Sequence, residues 1–255
     1  MIQKSIEQGY GLLRRVPGPA AACLAAAAVT YWLYALACGW LGVAGVYAGG
    51  KELTSSFRGG FLAYLPGMLL AAWFSAGLTP LVTLLGLKRE AGPLFSYSRA
   101  WFLPKAAWDI LFLSWLWVPM LFLKADFFGS TLLALVWMVT GIWFAVRLAL
   151  WLNAAAEGLP LKAAFLRSWE LTRGRVWTVV MTAALPMLAG RLPGWAIKAF
   201  LPEGSASAYY VNGFFEGLGG LLSLFALTAL YLNMAAAGPL PPEEEQAGSF
   251  WGKQE

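Results

Sequence analysis

Long apolar runs separated by short polar connections dominate the chain. Six of these runs reach the roughly 20 residues that an α-helix needs to cross a bilayer. They cover residues 20–48, 61–87, 101–123, 127–152, 176–200 and 211–237. The pattern therefore predicts an all-α fold, a polytopic membrane bundle of about six transmembrane helices that occupies residues 20–237.

The two ends of the chain differ from this membrane domain. Residues 1–19 are more polar and basic, and they predict a cytoplasmic or interfacial helix before the first span. After residue 237, Pro, Glu and Gly replace the apolar run. A segment with so little apolar surface cannot bury a core of its own. Residues 238–255 are therefore predicted to form a disordered cytoplasmic tail.

One cytoplasmic connection, residues 158–174, has the period of an amphipathic helix. At about 100° per residue, one arc contains Leu161, Ala164, Phe165, Ser168, Trp169, Leu171 and Thr172. The opposite arc contains Lys162, Arg167, Glu170 and Arg173. An apolar face with Trp and Phe opposite a face with Lys and Arg predicts a helix that lies in the membrane plane. The alternative is an ordinary helical loop packed on the bundle.

A similar pattern occurs earlier in the chain. At a constant offset of 68 residues, the run Arg167, Trp169, Leu171 and Arg173 is matched by Arg99, Trp101, Leu103 and Lys105. In each unit an in-plane helix would precede a hairpin of two spans. The sequence thus predicts a parallel repeat of interfacial helix plus hairpin, rather than the inverted repeat of many transporters.

The amino-acid composition excludes several kinds of catalytic and metal site. Apolar residues make up 60% and charged residues 12% of the 255 residues, against about 45–50% and 25% in a soluble domain. The chain has no histidine, which excludes His-based acid–base catalysis and the usual zinc sites. Cys23 and Cys38 both lie in the first apolar run, so no disulfide framework is expected. We therefore expect no cofactor, no metal and no enzymatic activity.

The formal net charge of +5 has a topological interpretation. With six spans, twelve of the cations fall on the side of the two termini and five on the other side, Arg147 apart. Because cytoplasmic loops carry the excess of Lys and Arg, this distribution predicts cytoplasmic termini in a bacterial inner membrane. The expected partners are anionic membrane phospholipids rather than nucleic acid.

Ionisable residues inside predicted spans are functional candidates by default, and four of them form two possible pairs. Asp109 and Arg147 lie at similar depth in neighbouring antiparallel spans, so we expect them to form an ion pair. A contact with a lipid headgroup or substrate and a proton relay are the alternatives for these two residues. Arg191 and Glu216 lie near the outer ends of spans five and six. They are expected to pair likewise, unless both side chains extend to water.

Residues 147–180 carry a recognisable motif. Arg147 in a span precedes a Glu-Gly-x-Pro turn at 157–160, followed by Ser-Trp-Glu-Leu-Thr-x-Gly-x-x-Trp at 168–177. This segment resembles the membrane domain found beside glycerophosphoryl diester phosphodiesterases and in related uncharacterised bacterial inner-membrane proteins. The resemblance implies a six-helix bundle linked to lipid or envelope metabolism. The phosphodiesterase activity itself belongs to a separate barrel domain with catalytic histidines, which are absent from this sequence.

These observations predict a non-catalytic multi-pass protein, a scaffold or partner that contacts phospholipid headgroups on the cytoplasmic side. The residues expected at the headgroups are Arg99, Trp101, Lys105, Lys162, Arg167, Trp169, Arg173, Arg175 and Trp177. The alternative is a small transporter or permease-type subunit for a lipid or an apolar substrate, since few polar side chains fall near the midplane of the spans. The identity of a membrane-protein partner and the oligomeric state are left open.

Overall fold

The computed structural model describes residues 1–40, 56–122, 128–201 and 206–237, and within these ranges all regular secondary structure is helical. The helices are α1 (Ile2–Leu13), α2 (Pro17–Trp40), α3 (Ser56–Gly86), α4 (Leu94–Phe122), α5 (Phe128–Arg147), α6 (Trp151–Ala156), α7 (Leu161–Thr172), α8 (Val176–Lys198) and α9 (Ala206–Ala237). Residues 41–48 of the first predicted span and the predicted tail 238–255 lie outside the described residues. The all-α prediction is confirmed for the described ranges.

Four segments of these helices are long and apolar enough to cross a membrane. They are Tyr64–Gly86 in α3, Leu132–Ala156 in α5 and α6, Val176–Ile197 in α8 and Gly213–Ala237 in α9. Helix α1 and the part of α2 up to Thr30 are bent by 99° at a short break, and they would add a fifth span if counted together. The described residues therefore support four or five membrane-length helices, a coarser result than the predicted six.

Helix α4 covers the third predicted span but is not among these segments. It carries Arg99, Lys105 and Asp109 within a helix of 29 residues. These charges lower the mean hydropathy of the stretch that the sequence predicts to enter the membrane. Ionisable groups in an apolar helix usually face the protein interior or a cavity and pair with each other. Lys105 and Asp109 do so, as described below.

Helices α3 and α9 form the centre of the bundle. Helix α3 packs against α2, α4 and α6, while α9 packs against α1, α2 and α8. Glycine permits the closest approaches. A Cβ atom added at Gly77 would lie 2.2 Å from Ser98 Oγ of α4, and one at Gly190 would lie 2.5 Å from the Cα atom of Gly219 across the α8–α9 contact. Such small residues let membrane helices pack closely.

Hydroxyl side chains hold the connection between α5 and α7. The carbonyl oxygen of Arg147, at the end of α5, accepts hydrogen bonds from Ser168 Oγ (2.9 Å) and Thr172 Oγ1 (3.2 Å). Ser168 Oγ in turn accepts one from the backbone N–H of Leu150 (3.2 Å). These bonds satisfy backbone groups that lose their helical partners where α5 ends. They also fix α7 beside the short helix α6.

Helix α7 lies inside the range predicted for the amphipathic helix, but much of its apolar arc faces the protein. The buried positions of that arc are Ala164, Ser168, Leu171 and Thr172. They pack with neighbours that include Leu150, Trp151 and Tyr231. This burial favours the alternative of a helix packed on the bundle. Leu161 and Leu166 of α7 stay exposed, by 41% and 56%.

Candidate functional site

An apolar cavity of about 310 Å³ lies between α2, α3, α4 and α9. Its lining consists of Cys23, Ala27, Tyr64, Met68, Ala71, Phe74, Ser75, Leu78, Lys105, Asp109, Gly217, Gly220, Leu221 and Leu224. The volume is at the lower end of the range of small-molecule sites, about 300–1,000 Å³. Mostly apolar walls with a few polar groups are also the usual composition of such sites.

One wall of the cavity carries an ion pair. Lys105 and Asp109 lie one turn apart on α4, and Lys105 Nζ donates to both carboxylate oxygens of Asp109 at 2.5 Å. The two side chains are only 19% and 24% exposed. Their pairing lowers the cost of placing each charge beside apolar walls. The arrangement offers a bound molecule one cation and one anion in an otherwise apolar space.

The predicted ion pair between Asp109 and Arg147 is not formed. Asp109 bonds to Lys105, whereas the guanidinium carbon of Arg147 lies 5.3 Å from the ring centre of Trp143 and 5.1 Å from that of Trp169. Similar depth on two helices does not place two side chains on facing sides. A lysine four residues away on the same helix is already a neighbour of the carboxylate. Arg147 is held by cation–π contacts instead.

The other predicted pair is brought together. Arg191 Nη2 of α8 lies 3.7 Å from Glu216 Oε2 of α9, and the two side chains are 28% and 31% exposed. Neither residue lines the cavity. The pair lies beside the close α8–α9 contact at Gly190 and Gly219, so it links these two helices rather than serving the cavity.

The residues predicted at lipid headgroups divide by exposure. The exposed ones are Arg99, Lys162, Arg173 and Trp177. The half-buried ones are Trp101, Lys105, Arg167, Trp169 and Arg175. Within the second group Lys105 lines the cavity, while Trp101 packs edge-on against Trp151 and Trp169 against Trp143. The first group keeps its side chains available to a lipid surface, whereas these three members of the second contact the protein interior.

Sequence reasoning missed a buried polar contact at α6. Asn153 Nδ2 donates to Thr83 Oγ1 of α3 and to Thr228 Oγ1 of α9, both at 3.0 Å. All three side chains are buried. An asparagine inside an apolar run is the signal that could have indicated this contact, because a buried amide needs hydrogen-bond partners. The contact joins α6 to both central helices.

Two polar side chains of the cavity have partners within the protein. Asp109, the acid in the lining, is engaged by Lys105, and Ser75 Oγ donates to the carbonyl oxygen of Ala72 in its own helix. In the parts of the chain that the structure describes, no three His, Cys, Asp or Glu side chains form a group that could hold a metal ion. The cavity therefore provides an apolar volume and a pair of opposite charges.

Comparison with known proteins adds no relative. No family model matches the chain, and no curated protein or solved structure matches it either. The resemblance of residues 147–180 to the phosphodiesterase-associated membrane domain stays a prediction.

Proposed function

We propose that the protein is a non-catalytic multi-pass membrane protein that holds one lipid-like amphiphile in the cavity between α2, α3, α4 and α9. The observation that carries this proposal is the Lys105–Asp109 ion pair in the wall of an apolar cavity. An apolar space alone suits any hydrocarbon, whereas a charged pair in its wall selects a molecule with a polar head. Ionisable groups within membrane helices often mark such binding sites or pathways.

Each part of the cavity matches one part of a membrane lipid. Met68, Phe74 and Leu224 offer packing to an acyl chain. The Lys105 ammonium group can donate to a phosphate, and the Asp109 carboxylate can accept from a headgroup ammonium or hydroxyl group. A zwitterionic or neutral polar head would replace the internal pair without leaving a net charge in the cavity. The volume accommodates part of a lipid, so the remainder would extend into the bilayer.

The proposed arrangement in the membrane has six spans, with α4 as the third and both termini in the cytoplasm of a bacterium. Four or five membrane-length helices support a polytopic protein, and the length of α4 supports another span. On the cytoplasmic side, the exposed Arg99, Lys162, Arg173 and Trp177 would contact phospholipid headgroups. Each cation near an anionic surface contributes about 1 kcal/mol. The parallel repeat and the family resemblance belong to this same proposal.

Transport of the amphiphile is a second candidate function. The observation that favours it is the placement of the Lys105–Asp109 pair inside a cavity formed by four helices, because an ion pair that exchanges partners can accept and release a headgroup. Lipid flux into proteoliposomes would be measured for the wild type and for Asp109→Asn. Flux that is lost in the variant supports transport, whereas absence of flux in the wild type leaves binding as the function.

Native mass spectrometry from gentle detergent tests the binding proposal. Gly220 lines the cavity, and a Cβ atom there would meet no atom within 4 Å, so Gly220→Leu fills the space without displacing the backbone. Ala25→Leu is the control, since Ala25 of α2 is exposed and does not line the cavity. We expect the wild type and the control to retain a lipid that Gly220→Leu loses. Equal retention by all three proteins would contradict the proposal.

A further inference from the structure

A second cavity lies where α1, the end of α3 and the last turns of α9 meet. It has a volume of about 360 Å³, and the residues that matter here are Gln8, Arg15, Lys88 and Asn233 together with the apolar Leu12 and Leu232. We refer to this cavity as the basic notch. It shares no lining residue with the apolar cavity between α2, α3, α4 and α9. Two cations and two amides beside apolar side chains are the groups that an anion attached to an apolar body requires.

The donors that the basic notch offers are its two cations and the amide of Gln8. Asn233 Nδ2 donates to Ser5 Oγ (3.1 Å) and to Gln8 Oε1 (2.7 Å), which fixes both amides. Because the Gln8 oxygen is the acceptor, its NH₂ group is left as a donor. Across the described ranges, neither Arg15 nor Lys88 forms a side-chain ion pair or hydrogen bond. No carboxylate is among the lining residues, so the positive charge is not neutralised within the notch.

The backbone conformation at Lys88 is an independent indication that this side chain has a function. Lys88 has φ +56°, and among the described residues it is the non-glycine residue with positive φ. Its N–H donates to the Leu85 carbonyl oxygen, and the N–H of Arg89 donates to that of Leu84, the two bonds of a Schellman helix terminus. Glycine is the usual residue at this position. A lysine that accepts an unfavourable conformation at a cavity wall indicates a function for its side chain.

We propose that the basic notch binds a phosphate group, held by charge-assisted hydrogen bonds from Arg15 and Lys88 and by the amide of Gln8. The phosphate belongs to an anionic phospholipid or is free in solution. Both sources share the chemistry that the notch recognises, and the experiment below separates them. This site is independent of the proposed lipid in the apolar cavity between α2, α3, α4 and α9, because none of the lining residues is shared.

The test uses the full chain in neutral detergent, titrated with dihexanoyl phosphatidylglycerol, with dihexanoyl phosphatidylcholine and with inorganic phosphate. Binding is followed by isothermal titration calorimetry. We expect Arg15→Gln/Lys88→Gln to weaken phosphatidylglycerol binding about 25-fold, since each cation contributes about fivefold. The matched control is Arg14→Gln/Arg89→Gln, which removes two neighbouring cations that do not line the notch. Tighter binding of phosphatidylglycerol than of phosphate identifies a lipid, and equal affinity identifies free phosphate.

A second variant separates a binding role of Lys88 from a structural one. Lys88→Gly removes the cation and relieves the positive φ, so it should raise the midpoint of thermal unfolding while it weakens binding about fivefold. The proposal is overturned if the wild type binds neither phosphatidylglycerol nor phosphate. It is equally overturned if the Arg15/Lys88 double variant binds as tightly as the wild type, or if the Arg14/Arg89 control loses as much affinity.

Discussion

Helices α3 and α5 have nearly the same hydropathy but opposite environments. The membrane-length stretch Tyr64–Gly86 of α3 has a mean hydropathy of 1.8, and 56% of its 18-residue apolar segment is buried inside the protein. The stretch Leu132–Ala156 of α5 and α6 has a mean hydropathy of 1.9, and only 11% of its 18-residue apolar segment is buried. A lipid tail is as apolar as leucine, so apolarity predicts membrane entry without distinguishing a central helix from a peripheral one.

Small and hydroxyl-bearing residues distinguish the two helices instead. The fully buried positions of α3 include Ala76 and Thr83, and Gly77 allows α4 to approach closely. The outer face of α5 has Leu133 and Val136 exposed by 59% and 54%. Because packing and interhelical hydrogen bonds replace the hydrophobic effect between membrane helices, the inner helix needs side chains that permit contact. The outer helix needs only side chains that lipid can cover.

The largest effect is expected at the closest contact of α3. Gly77→Leu places a side chain where even a Cβ atom would lie 2.2 Å from Ser98 Oγ, so α3 and α4 must separate. We expect a loss of about 3 kcal/mol in the free energy of unfolding, measured by denaturation in mixed micelles. Gly11→Leu in α1, which adds the same side chain at an open position, should change the stability little. Equal losses in both variants would contradict the assignment of α3 as the central helix.

Truncation of one leucine in each helix should have a smaller effect on the unfolding free energy, and that effect should differ between α3 and α5. Leu78 of α3 is fully buried and Leu133 of α5 is 59% exposed. Leu78→Ala leaves a cavity between helices and should cost about 2 kcal/mol, whereas Leu133→Ala is filled by lipid and should cost less than about 0.5 kcal/mol. The same micelle unfolding assay compares them. A cost at Leu133 as large as that at Leu78 would show that the outer face of α5 is a protein contact.

The smallest effect concerns the polar contact between α6 and the central helices. Asn153→Ala removes the donor to Thr83 and Thr228, and interhelical hydrogen bonds of this kind contribute about 1 kcal/mol in membranes. Thr140→Ala in α5 is the control, because Thr140 Oγ1 bonds only to Val136 of its own helix. We expect the unfolding free energy to fall in the first variant and to stay within error in the second. A neutral Asn153→Ala would mean that α6 is held by apolar packing alone.

The sequence predicted most of what depends on period and length. The apolar runs indicated the helices, and the 3.6-residue period placed α7 within two or three residues of its ends. Which side of a helix faces its neighbours was harder to predict from the sequence. Asp109 and Arg147 were correctly placed on neighbouring helices, yet Lys105 of the same helix and Trp143 and Trp169 became their partners. The side of a helix that faces its neighbours depends on packing against helices distant in the sequence. A local sequence pattern does not contain that information.

The two cavities were beyond sequence reasoning for the same reason. The apolar cavity combines residues of α2, α3, α4 and α9, and the basic notch combines residues of α1, α3 and α9. Of the side chains that define them, Lys105 and Asp109 could be recognised as candidates because charges are rare in apolar runs. Gly220 could not be recognised from the sequence, because its role depends on the empty space that surrounds it in the folded protein. Lys88 could not be recognised either, because the residues around it in the sequence do not indicate a positive φ at a lysine.

Photo-crosslinking with a photoactivatable phospholipid tests the central claim most directly. Purified protein that retains one tightly bound lipid is irradiated, and the labelled residues are located by peptide mass spectrometry. The account predicts label on the cavity side of α3 and α9, at residues such as Met68 and Leu224, and its loss in Gly220→Leu. Label confined to the outward faces of α5 and α8, unchanged in Gly220→Leu, would contradict a lipid site inside the bundle.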